Sequence, residues 1–76
     1  MTIDIEDLKK NIKIRLSQAL AATKMKKNDY LRDVIPMLAE LEKEDLVIKA
    51  YNALKATEKD DIKTADELIL EIMKSI

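Results

Sequence analysis

The side chains that could do chemistry here are carboxylates, lysines and a few hydroxyls, because the chain has no histidine and no cysteine. Histidine is the commonest general base and metal ligand, and cysteine makes disulfides and structural zinc sites. Two carboxylate clusters stand out: Asp60 with Asp61, and Glu42, Glu44 and Asp45. A catalytic carboxylate pair needs a pocket that splits the two pKa values. Both clusters sit in charged stretches that read as exposed turns, where both members stay ionised. They also lack the alternating oxygen ligands and central glycine of a calcium-binding loop. Ser17 and Ser75 have no histidine to activate them, so a Ser–Lys pair is the nucleophile scheme left, and Ser17 has Lys13 four residues before it. A helix serine more commonly bonds back to its own backbone. No catalytic residue, metal ligand or cofactor site is assigned, no small-molecule substrate is expected, and the chain reads as a non-enzyme.

The stretch LKKNIKIRLSQALAATKMKKN, residues 8–28, carries Lys9, Lys10, Lys13, Arg15, Lys24, Lys26 and Lys27 with no acid among them. The whole chain is nonetheless at net charge -1. A helix with these cations could lie along phosphates and release counterions. Against this, the pI is about 5.4, while nucleic-acid-binding domains are typically basic. Only Arg15 and Arg32 are arginine, the better bidentate reader of phosphate and guanine. No aromatic residue interleaves with the lysines to stack a base. A solvated helix face is the ordinary reading, and a docking surface for an acidic protein, or for the acidic second half of another copy, is the alternative that carries function.

These charges need helices to position them, and the composition supplies helices. There is no glycine and one proline, which removes phosphate-cradling loops and disfavours tight hairpins. Hydrophobic residues make up 47% and charged residues 38% of 76 residues, too apolar for a disordered tail. One small domain, residues 1–76, fits that length. No apolar run approaches a membrane span, and the acidic N-terminus is unlike a signal peptide, so a cytoplasmic protein without membrane contact is expected.

Apolar spacing predicts an all-α antiparallel bundle of about four short helices. The first starts at an Asp4 cap, carries Ile5, Leu8, Ile12, Leu16, Ala19 and Leu20, and ends in Lys24, Lys26 and Lys27, where cations suit a C-terminal dipole. The second starts at Asn28 and carries Leu31, Val34, Leu38 and Leu41. Pro36 either kinks it or lies in the first turn of a helix starting near Asp33, and the unbroken stripe favours the kink. A turn is expected at 42–45. The third helix carries Leu46, Val47, Ala50, Tyr51 and Leu54, with Tyr51 in the core, and residues 57–63 read as a loop. Thr64 and Glu67 match a capping box opening the last helix, whose stripe runs through Ile62, Ala65, Ile69, Ile72 and Ile76.

Ile14 lies about 200° round the helix from Ile12 and Leu16, and Leu70 stands in the same relation to Leu68 and Ile72. Single exposed apolar residues are ordinary. Ile3, Ile14 and Leu70 could instead form a second apolar face for a protein partner or a homodimer. The functional expectation is a small regulatory or adaptor module that docks through this face, with the lysines of the first helix aiding orientation. A helical nucleic-acid-binding regulator using the lysines of residues 8–28 is the alternative.

Overall fold

A computed structural model describes residues 4–76. They form four helices: α1 (Ile5–Ala21), α2 (Lys24–Glu40), α3 (Glu44–Glu58) and α4 (Ile62–Ser75). No strand occurs among the described residues. The architecture is the small all-α bundle expected from the spacing. Each helix packs on its successor, α1 meets α4 more sparsely, and one core joins all four. Its largest members are Ile12, Leu16, Leu31, Leu38, Leu46, Ile69 and Ile72, each essentially without solvent contact.

The start of α1 follows the expectation. Asp4 caps it, its carboxylate accepting from the Glu6 N–H at 3.0 Å and more weakly from the Asp7 N–H at 3.5 Å. Glu6 and Asp7 add negative charge where the helix dipole favours it. The end differs. α1 stops at Ala21, and Lys24, Lys26 and Lys27 open α2 behind a Thr23 cap rather than closing α1. Asn28 therefore lies inside α2 and is no cap. Its Oδ1 is buried without a hydrogen bond among the described residues.

α2 runs through Pro36, so a helix starting near Asp33 is excluded. Proline in a helix interior costs about 3 kcal/mol, while each fully buried leucine contributes about 1.5–3 kcal/mol. Leu31 and Val34 before the proline and Leu38 after it are all fully buried. Packing on both sides thus outweighs the lost hydrogen bond. Pro36 itself is exposed. Pro36→Ala restores an N–H for the Arg32 carbonyl without touching the core. It is expected to raise the unfolding free energy by about 1–2 kcal/mol, read by urea denaturation. No gain would mean that α2 does not close that hydrogen bond even when a donor is supplied.

The corners are tighter than the charged stretches implied. The α2–α3 corner is residues 41–43 and the α3–α4 corner residues 59–61, so half of the expected turn at 42–45 and four of the seven residues of the expected loop at 57–63 are helical. Both corners use the same backbone device. The Lys43 N–H reaches the Leu38 carbonyl and the Glu42 N–H the Ala39 carbonyl. Likewise the Asp61 N–H reaches Ala56 and the Asp60 N–H reaches Thr57. This six-to-one and five-to-two pattern needs a left-handed residue, usually glycine. Here Glu42 (φ 58°) and Asp60 (φ 63°) take that conformation. Asp61, not Thr64, caps α4, accepting from the Thr64 N–H at 3.3 Å, so the expected capping box is not the start signal.

Two apolar residues assigned inward lie outward. Tyr51 is 49% exposed, and Ile5 is also exposed. On α3 the inward row is Leu46, Ala50, Ala53 and Thr57. Small side chains let α3 sit close between its two neighbours, and Tyr51 is left on the shoulder. The buried Thr57 hydroxyl is satisfied by donating to the Ala53 carbonyl at 2.9 Å.

Candidate functional site

The seven cations of residues 8–28 divide between two helices, four on α1 and three on α2. Lys27 is 2% exposed. Its ammonium donates to the Ala19 carbonyl at 2.8 Å and to Asp66 Oδ1 at 2.7 Å, with a longer contact to the Leu20 carbonyl at 3.5 Å. It is therefore no surface contact for a partner. Lysines in the first turn of α2 are at the wrong end of that helix dipole. Lys27 resolves this by reaching back to the C-terminal carbonyls of α1, which need donors and carry the negative pole. Asp66, on the shoulder of α4, completes the clasp.

Lys24 pairs with Asp60 at 2.8 Å. Both side chains are largely in water, so the pair contributes little stability. Together the two ion pairs hold the first turn of α2 against the start of α4. Lys26 is exposed and Arg15 half-buried.

The remaining lysines gather. Lys9, Lys10 and Lys13 line an open groove along α1 with Ile14, Ser17 and Gln18. Glu6 stands at one end, and Ile76, the last residue, forms part of the wall. The groove thus opens where α1 passes the end of α4, while Lys27 of α2 bridges the Ala19 carbonyl of α1 and Asp66 of α4 elsewhere. Ile14 is 46% exposed and Leu70 44% exposed. The structure brings Ile14 together with the lysines; Leu70 is not among the residues lining this groove. Ile3 lies outside the described residues.

The carboxylates singled out for acid–base chemistry are exposed, and several have structural roles. Asp61 caps α4, Asp60 and Glu42 turn the corners, and Asp60 also meets Lys24. Among the described residues no group of three potential metal ligands converges. Among the described residues no helix is long and apolar enough to cross a membrane.

No protein family, curated protein or solved structure matches the chain. The functional reading therefore rests on the groove and on the surfaces around it.

One such surface was missed in the sequence. Val47 and Ile48 of α3 form a shallow recess with Ala39, rimmed by Glu42 and Glu44. Ile48 is 60% exposed. The available signal was the phase of α3: if the alanines face inward, Ile48 and Tyr51 must face out.

Proposed function

We propose that this protein is a non-enzymatic interaction module, a small regulatory or adaptor protein, that docks an acidic, amphipathic protein surface in the α1 groove. The observation that carries this reading is the grouping of Lys9, Lys10 and Lys13 around the half-exposed Ile14, with Ile76 as a second apolar wall. Ile14 supplies the apolar anchor, and the lysines steer an acidic partner and set its orientation. The absence of cysteine suits a reducing compartment, and the cytoplasm is the setting proposed.

A nucleic-acid role is less well supported. Lys24 and Lys27 are engaged within the protein, which leaves four lysines and one arginine of the run spread over two helices. Titration of the intact chain with an acidic amphipathic helical peptide, followed by backbone amide NMR, tests the docking reading. Shifts are expected to centre on residues 9–18 and at Ile76. Ile14→Asp is expected to weaken binding about tenfold or more, a loss of about 1.4 kcal/mol, with helicity unchanged. Tighter binding of a DNA duplex, with a steep loss of affinity on adding salt, would displace this reading.

A further inference from the structure

The α1 groove has a counterpart on the same chain. At the α2–α3 corner, Val47, Ile48 and Ala39 form an apolar ledge rimmed by Glu42 and Glu44. Tyr51, one turn beyond Ile48 on the same shoulder of α3, extends it, and both side chains are about half exposed or more. The surrounding charge is acidic: Glu40, Glu42, Glu44 and Asp45 stand against Lys43 alone in residues 40–45. The groove is the reverse, with Lys9, Lys10 and Lys13 against Glu6. Each surface is open, has an exposed isoleucine, and carries an excess of the charge opposite to the other's. They share no residue, and α1 and α3 are not among the closely packed helix pairs, so each copy can offer both at once.

We infer that the occupant of the α1 groove is the α2–α3 ledge of a second copy of this chain. This rests on the docking reading of the groove and names its partner. In the contact, Ile48 and Tyr51 cover Ile14, while Glu42 and Glu44 face the lysines. Opposite charges set the register, and burial of the apolar residues supplies the attraction. The overall charge of -1 leaves little long-range repulsion between copies. The interface is head-to-tail: one groove and one ledge stay open on a pair, so assembly either closes on itself or continues.

Charge exchange in the full-length chain tests this. The wild-type mass by sedimentation equilibrium is expected to rise with concentration at low salt and to rise less at high salt. Lys10→Glu/Lys13→Glu and Glu42→Lys/Glu44→Lys should each self-associate about tenfold more weakly, because each variant then opposes like charges. Mixing the two variants places acids against lysines again and should restore association. All four substitutions are on exposed side chains, and circular dichroism checks that helicity is retained. A wild type that stays monomeric throughout, or a mixture no better than either variant alone, overturns the inference. If that monomer still binds the acidic peptide through Ile14, docking in the groove stands and only the second copy is removed as its occupant.

Discussion

Lys27→Ala is expected to lower the unfolding free energy by about 3 kcal/mol. Burial of the four-carbon stem accounts for most of this, at about 0.8 kcal/mol per methylene before the alanine methyl is credited back. Lost bonds add less. Asp66 is 35% exposed, so water can replace the ammonium there. The Ala19 carbonyl keeps the Ala22 N–H at 3.2 Å as a donor. A stable domain of this length has about 4–11 kcal/mol in total, so the substitution removes a large share. Lys27→Met separates the two contributions, because it keeps an apolar stem and deletes only the charge. It should cost about 1 kcal/mol, and less still when Asp66→Asn is present, since the unpaired carboxylate is then gone. Urea denaturation of the four proteins closes the cycle. A loss under about 1 kcal/mol for Lys27→Ala would mean that the side chain spends its time in water, not against α1.

Ile69→Ala should be at least as damaging, at about 3–4 kcal/mol, because it opens a cavity where α4 enters the shared core. Ile69 has no solvent contact and belongs to the same cluster as Ile12, Leu16, Leu31 and Leu38. For a chain of this size that loss lowers the melting temperature by roughly 12–32 °C. The next residue supplies the control. Leu70→Ala, one step round the helix and 44% exposed, should change stability by about 0.5 kcal/mol or less. Thermal melts that rank the two substitutions equally would show that α4 is rotated from the orientation described.

The apolar rows were legible because they obey one rule: a side chain that repeats every three or four residues on one face must find a dry interior. That rule found four helices and the outward position of Ile14. Asp4 was legible for a local reason, since a cap needs only its own next turn. Lys27 was not, because its place depends on three segments at once. It continues the row of Leu31, Val34 and Leu38 backward by one turn, a position where a lysine is acceptable only if a carbonyl and a carboxylate await it. The expectation that Lys24, Lys26 and Lys27 close the first helix fails because all three belong to α2, and Lys27 reaches the C-terminal carbonyls of α1 from there. Tyr51 was misplaced because large side chains outrank alanine in any reading of hydrophobicity, while α3 buries its alanines. The lysines of the candidate groove were visible as a run. Its Ile76 wall was not, because Ile76 is distant in sequence from α1, and the ledge was missed because it depends on the phase of α3, which the reading of Tyr51 as core had turned inward.

Glu42 and Asp60 hold left-handed backbone at a cost of about 1–2 kcal/mol each, in a chain without a single glycine. The same choice acts on the denatured ensemble. Glycine would give the unfolded backbone swivels, and a chain without them has fewer conformations to give up on folding. Most packing here is between consecutive helices, the low-contact-order arrangement associated with rapid folding. The residues that strain the native corners therefore belong to a backbone whose conformational search is short.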